Sequence, residues 1–332
     1  MSSRLYNWAF VAAGRMAGSM ANDLTLLPNT RIYSVFSRTR ESMQDFSRSF
    51  GGCKMFPLLE EMLAVPEVDI VYISSPNHLH FPQAKLALEA GKPVLCEKPF
   101  TLNAHQLSEL IEIARANRVF LMEAMWIRWL PIVVRLRELL TNDIIGEPRL
   151  LKASFHAQLS PNPKGRIYNL TMGGGSLLDL GIYPISFASL IFHHQPEEIV
   201  SAAHIGPTGI DEHFGAVFQY ASGIALIAAG VDVRAIDDIS IHGTAGSIRI
   251  HHPWKLSQMT VELSEGESET ITLPMEGKGY SYQAAEVMRC LDAGLLESPA
   301  MPLDESLQIM KTLDRLRNQW RLVFPGESTM PL

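Results

Sequence analysis

The chain has only three cysteines in 332 residues, Cys53, Cys96 and Cys290. Their wide spacing forms no ligand pattern, which argues against a disulfide framework and suits a reducing compartment. No uninterrupted apolar run of about 18 residues occurs, and no basic segment followed by an apolar one opens the chain. We therefore expect a cytoplasmic protein without a membrane partner. An excess of basic residues is missing too. With a net charge of −7 and a pI near 5.9, the chain lacks the electrostatic footprint of a nucleic-acid binder. Repeats and low-complexity stretches are also absent. What remains is 47% hydrophobic and 19% charged residues, enough for two ordinary domains with real cores.

The first 122 residues alternate short apolar runs with helical patterns, the rhythm of a parallel sheet wound with helices. Strands are expected at 8–12, 31–36, 69–73, 93–96 and 119–122, with a further short one at 53–56. Asn103 followed by Gln106 forms a capping-box start, after which Leu107, Leu110, Ile111 and Ala114 recur at helical spacing. A second amphipathic segment runs over 83–89 and stops at Gly91. Beyond Glu123 the pattern becomes a series of strands, at 150–158, 199–205, 215–220, 224–231 and 239–250 with a break at Gly243. The fold class expected is α/β: a doubly wound parallel Rossmann domain over 1–122, then an α+β domain with a large, mostly antiparallel sheet over 123–332. Ile309, Leu313, Leu316 and Trp320 mark one face of a closing helix, ended by Pro325-Gly326.

Several strand ends carry chemistry. The first strand leads into Ala12-Ala13-Gly14-Arg15-Met16-Ala17, a partial dinucleotide fingerprint in which alanine holds the first and third glycine positions. Gly14 keeps the position where backbone approaches a pyrophosphate, so Ala13, Gly14, Arg15 and Met16 are candidate cofactor contacts; a tight turn without a ligand reads the same way. The second strand ends in Ser37-Arg38-Thr39-Arg40, where NAD enzymes commonly place a carboxylate for the ribose hydroxyls. A hydroxyl and guanidinium groups suit a 2′-phosphate instead, so Ser37 and Arg38 point to NADP(H) over NAD(H). The next strand runs into Ser74-Ser75-Pro76-Asn77-His78-Leu79-His80, which makes Ser75, Pro76, Asn77 and His80 candidates at the same sheet edge. Neither His78 with His80 nor the pairs His193-His194 and His251-His252 has the companions a metal site needs, and no metal is expected.

The run Val94-Leu95-Cys96-Glu97-Lys98-Pro99-Phe100 ends an apolar strand in an acid, a base and a proline. Read alone, Glu97 and Lys98 suit a surface ion pair, or a lysine in the ligand crevice of an α/β sheet. In the second half, Gly173-Gly174-Gly175-Ser176-Leu177-Leu178-Asp179-Leu180-Gly181-Ile182-Tyr183 suggests a close backbone approach. If helical, it places Asp179 and Tyr183 on one face, although Gly181 and Pro184 weaken such a helix.

Together these features resemble the glucose-fructose oxidoreductase/inositol dehydrogenase (Gfo/Idh/MocA) family nearly end to end. The glycine-led run, Met122-Glu123-Ala124-Met125-Trp126-Ile127-Arg128 and Pro302-Leu303-Asp304-Glu305-Ser306-Leu307 are similar to its dimeric dihydrodiol dehydrogenase branch. The resemblance implies an NADP-dependent enzyme that transfers a hydride at a carbinol carbon of a sugar, polyol or trans-dihydrodiol. It makes Lys98 the catalytic lysine, with Glu97 and Lys98 also near the cofactor, and puts Tyr183 where the larger family has histidine. Tyr183 is then expected to transfer the proton, Lys98 to polarise the substrate oxygen and Asp179 to orient substrate or Lys98. The same resemblance places Trp126, Phe155, Trp254 and Tyr280 around the substrate, offers Arg128 and Arg166 for hydroxyls or phosphate, and implies a homodimer through the second domain's sheet. The alternative is a dinucleotide-sensing regulator of the same fold that binds cofactor without turnover.

Overall fold

Six short strands build the first sheet: β1 (Tyr6–Val11), β2 (Thr30–Phe36), β3 (Lys54–Phe56), β4 (Ile70–Ile73), β5 (Val94–Glu97) and β6 (Leu121–Ala124). All pair in parallel, in the order β3-β2-β1-β4-β5-β6. The computed structural model describes residues 4–327. Helices α1 (Arg15–Leu24), α2 (Arg40–Ser49), α3 (Leu59–Leu63), α4 (His80–Glu89) and α5 (Ala104–Asn117) link the strands. Every residue of β4, β5 and β6 is buried, as expected of strands covered on both faces. Strand order reverses beside β1 and β4, so the carboxyl ends of those strands flank the switch point where such sheets bind ligands.

The expected strands lie within a few residues of those observed. Helix α4 starts at His80 rather than 83, because the loop after β4 tightens into a single 3₁₀ turn over Asn77–Leu79. The Asn103 cap forms: its side chain accepts from the Gln106 amide at 2.9 Å, while the Gln106 side chain accepts from Leu102, one residue earlier than a standard capping box.

The second sheet has eight strands: β7 (Pro148–His156), β8 (Glu198–Ile205), β9 (Asp211–Gln219), β10 (Ile224–Gly230), β11 (Asp238–Gly243), β12 (Gly246–His251), β13 (Gln258–Leu263) and β14 (Ser268–Thr272). Their order is β14-β13-β12-β11-β7-β10-β9-β8. β7 and β10 run parallel and the other neighbours antiparallel. The expected turn at 220–223 joins β9 to β10, with the Tyr220 amide donating to Gly223 O at 2.8 Å. Strands β13 and β14 were not anticipated. β14 is exposed at four of its five positions, so it carries no apolar alternation to read.

Helix α6 (Pro131–Thr141) precedes this sheet and α7 (Ile182–Phe192) is buried against it. By composition alone Leu170–Phe192 passes for a membrane span, yet 94% of the window is buried inside the fold, as in a core helix. Helix α8 (Tyr280–Asp292) and the start of α9 (Leu303–Trp320) belong with the first sheet. The chain thus divides into one unit of Met1–Trp129 with Met275–Ser306 and another of Leu130–Pro274 with Leu307–Leu332. Against the expected break after residue 122, 123–129 stay with the first unit and Met275–Ser306 returns to it.

Asp23 of α1 holds that returning segment. Its buried carboxylate accepts from the amides of Lys278 at 3.0 Å and Tyr280 at 2.7 Å, satisfying donors at the start of α8.

Candidate active site

At the end of β1 the chain turns through Ala12, whose φ of +80° lies in the left-handed region that a side chain disfavours. Gly14 precedes α1, no side chain caps that helix, and nothing lies within 4 Å of where a Cβ on Gly14 would be. A helix N-terminus opening onto clear space fits a pyrophosphate. Ala13, Arg15 and Met16 lie on either side of that glycine.

At the end of β2, Arg38 and Arg40 are exposed. Thr39 caps α2, and the Ser42 hydroxyl donates to Ser37 Oγ at 2.9 Å. Ser42 therefore joins the group at this strand end. Its spacing three residues after a capping threonine was the available signal.

The loop after β4 faces inward more than expected. Ser75, Asn77 and His80 are buried, while Pro76 is half-buried. Ser75 Oγ donates to Gln83 at 2.6 Å. The two ring nitrogens of His80 lie 2.8 Å from Pro99 O and 2.8 Å from Ser75 O. Two carbonyls can only accept, so the ring satisfies both when both nitrogens carry hydrogen. His80 thus ties the β4 loop to the β5 loop and spends its ring nitrogens on backbone.

At the end of β5, Glu97 is buried and accepts the Tyr72 hydroxyl at 2.5 Å. Burial, then the Glu97 carboxylate, pushes the Tyr72 phenol well above its ordinary pKa and keeps it a donor. Lys98 is half-buried, so the lysine is the more accessible member of the acid-base pair, beyond a buried strand and ahead of a cis Lys98-Pro99 bond. Among the described residues, no group of three or more His, Cys, Asp or Glu side chains is placed to hold a metal.

Glu123 was missed as a site residue. It lies on β6, paired in register with Cys96, is 3% exposed and accepts from the Phe100 amide at 3.2 Å. Burial raises its pKa to about 7, with the neighbouring Ser306 hydroxyl, the Phe100 amide, Arg128 and Lys98 drawing it back down. Arg128 is also buried and donates to Glu305 at 2.6 Å. Trp126 and Tyr280 meet in the same unit, ring centroids 5.3 Å apart.

In the second unit, Gly174 and Gly175 pack closely against protein atoms. A Cβ on Gly174 would lie 2.3 Å from Ile167 O, and one on Gly175, whose φ is +117°, would lie 2.1 Å from Asp211 Oδ1. The buried Asp211 carboxylate accepts from the Ser176 hydroxyl at 2.7 Å and the Leu177 amide at 2.6 Å. It thereby anchors a single π turn, Leu177–Gly181, that runs directly into α7. Pro184 is the third residue of α7, which continues from that π turn. Asp179 leaves the π turn to accept from Arg166 at 2.7 Å, so these two expected site residues pair with each other. Tyr183 is 7% exposed, with Phe155 at 5.3 Å and Trp254 at 6.4 Å between ring centroids. Asp237, also missed, accepts from the Trp254 indole at 3.1 Å and faces the His156 ring at 2.7 Å. Burial raises its pKa, but the His156 bonds outweigh that and leave it lowered.

Comparison with known proteins agrees with this architecture. Residues 6–125 match the "Oxidoreductase family, NAD-binding Rossmann fold" profile and residues 133–249 the "GFO/IDH/MocA C-terminal domain". The chain is 34% identical to trans-1,2-dihydrobenzene-1,2-diol dehydrogenase of Mus musculus, covering 96% of this chain and 98% of the relative. It is 32% identical to D-xylose 1-dehydrogenase (NADP(+)) of Hypocrea jecorina, over 96% and 93% of the two chains. Among solved structures it is similar to a 3-ketoreductase from Actinomadura kijaniata in complex with NADP and TDP-benzene. That match has a TM-score of 0.83 and 25% identity, over 95% of this chain and 97% of that one.

Asp211 generates a stability prediction. Burial raises its folded pKa to about 6, above the value near 4 of an unfolded carboxylate. Between those two values the native state binds more proton than the unfolded state, so this contribution to stability falls as pH rises through that window. Urea melts of the wild type and Asp211→Asn should show a wild-type advantage larger at about pH 4.5 than at about pH 7; an advantage that does not change with pH contradicts the assignment.

Proposed function

Since the chain belongs to the GFO/IDH/MocA family of oxidoreductases, we propose that it is an NADP(H)-dependent enzyme moving a hydride to or from a carbinol carbon of a sugar, polyol or trans-dihydrodiol. The observation that carries this reading is Lys98, half-buried at the carboxyl end of the fully buried β5, on the sheet edge that also presents Gly14. The relatives named above act on diols or sugars, as their names state. Preference for NADP(H) rests on Ser37, Arg38 and Arg40, exposed or half-exposed at the end of β2 with no carboxylate among residues 37–40. A 3-ketoreductase relative solved with NADP is in keeping with it.

The cofactor, when bound, supplies or accepts the hydride. Ala13 to Met16 and the α1 N-terminus hold its pyrophosphate, and Ser37, Arg38 and Ser42 its 2′-phosphate. Lys98 polarises the substrate oxygen as a cation. Tyr183 passes the proton to or from that oxygen. Its ring is steadied by Phe155, and Trp254 beside it is fixed by Asp237. Asp179 and Arg166, as an ion pair, offer a polar wall for substrate hydroxyls. Trp126 and Tyr280, tilted against each other in the first unit, offer aromatic surface to a substrate. Three buried, unpaired cysteines support a reducing, cytoplasmic setting.

The protein acts as a homodimer through the open face of the eight-stranded sheet. Val200, Val217 and Leu226 lie side by side across β8, β9 and β10, with Ile224 beside them. Their exposures are 70%, 42%, 39% and 42%, a contiguous apolar stripe of the kind that marks an interface.

Lys98→Met and Tyr183→Phe should each lower kcat by about 10²-fold or more with NADP(H) binding retained. The assay is nicotinamide absorbance over a panel of aldoses, polyols and dihydrodiols. Near-normal turnover in both variants rejects the residue roles, and NADP binding without any turnover in the wild type favours the sensing alternative. Comparing kcat/KM for the two cofactors should show a clear NADP(H) advantage that shrinks in Arg38→Ala; an NAD(H) preference overturns the cofactor assignment. Val217→Glu should convert a dimer to a monomer in sedimentation, and an unchanged dimer places the interface elsewhere.

A further inference from the structure

A carboxylate buried on a strand of a parallel sheet is expensive, several kcal/mol for a fully desolvated ion, and a leucine would fill the same place at no such cost. Glu123 is there nonetheless. Its neighbours show what it touches. On one side β5 runs alongside in register, Cys96 opposite Glu123, and the chain beyond it passes through Lys98 and Pro99 to Phe100. The Phe100 amide turns back and donates to Glu123 Oε1 at 3.2 Å. On the other side Ser306, 2% exposed, approaches from the start of α9, and Arg128 approaches from the turn after β6.

We propose that Glu123 is a positioning residue for Lys98: it pins the backbone two residues beyond the lysine and supplies the buried negative charge that holds Lys98 as an ammonium. The proposal rests on the reading of Lys98 as the substrate-polarising cation, and it adds a residue that acts through the lysine without touching substrate.

The electrostatic surroundings support this. Lys98 is close enough to lower the Glu123 pKa, so by reciprocity the ionised carboxylate favours the charged lysine. Arg128 also draws the Glu123 pKa down, and its guanidinium donates to Glu305 at 2.6 Å. The other titratable groups facing this place are Cys96 and Glu97 on β5 and His80, whose ring bonds Pro99 O. The Cys96 thiol is pushed well above its ordinary value by burial, then by Glu97 and Glu123, and stays neutral. Glu97 is engaged by the Tyr72 hydroxyl. Glu123, raised to about 7 by burial, therefore changes charge near neutral pH.

The test reads the lysine directly. Competitive acetylation of the full-length protein, with the modified site located by mass spectrometry, gives the Lys98 amine reactivity as a function of pH. In the wild type the Lys98 profile should inflect near pH 7 as Glu123 ionises. In Glu123→Gln, which keeps the shape and the acceptor for the Phe100 amide, that inflection should vanish and Lys98 should label about threefold or more faster at pH 8, as expected of a lysine that loses a neighbouring negative charge. The acid limb of the kcat profile should disappear with it, while the Kd for NADPH stays within about twofold of wild type. Superimposable Lys98 profiles in the two proteins overturn the proposal, as does a variant whose melting point falls while both profiles keep their shape, since that is what a purely structural carboxylate does. Should the variant not fold, the absence of an inflection near pH 7 in the wild type overturns it equally. Absence of turnover in the wild type counts against the oxidoreductase reading alone, because the labelling still decides the role of Glu123.

Discussion

A parallel sheet covered on both faces leaves its strands no solvent, and that constraint organises the first unit. Polar chemistry has to collect where the strands end. Gly14 after β1, Ser37 and Arg38 after β2, Ser75 to Asn77 after β4 and Lys98 after β5 all lie at one edge, because parallel strands end on the same side. The helices that follow bring their N-termini to that side as well. Where a charge does enter the interior, as at Glu97 and Glu123, it is met by a donor from the same unit: the Tyr72 hydroxyl in one case and the Phe100 amide in the other.

The second unit solves a different problem. It presents Tyr183 and Asp179 from a helix start that regular geometry would not provide. Asp211 on β9 receives the Ser176 hydroxyl and the Leu177 amide, the glycines leave room for it, and the chain widens into a π turn before α7 begins. Asp237 does a similar service for Trp254, gathering an indole, a histidine ring and the His156 amide on one carboxylate.

Local patterns were legible in the sequence and distant partnerships were not. The buried strands of the parallel sheet announce themselves as short apolar runs, and the Asn103 cap and the 220–223 turn follow from residues within four positions of one another. The glycine run was read correctly as a close approach, but its partners, Ile167, Arg166 and Asp211, lie up to 36 residues away from the glycines (211 − 175) and no periodicity points to them. His80 was expected to face a ligand; the structure turns its ring to Ser75 and Pro99, a bond across 19 residues. Glu123 did leave a trace, since an acid interrupts the apolar run 119–125, and the same test that singled out Lys98 applied to the neighbouring strand would have found it.

Ala12 shows how little of a nucleotide-binding signature resides in residue letters. A motif written in glycines is shorthand for a set of dihedral angles, and this chain reaches φ +80° with an alanine. The methyl group costs about 1 kcal/mol of conformational energy, a sum that a well-packed domain absorbs without visible distortion. A search keyed to the glycine pattern would pass over the chain at its first position, while one keyed to backbone shape would not. Within such families, then, the permitted alphabet at this turn is set by the stability the rest of the domain has to spare.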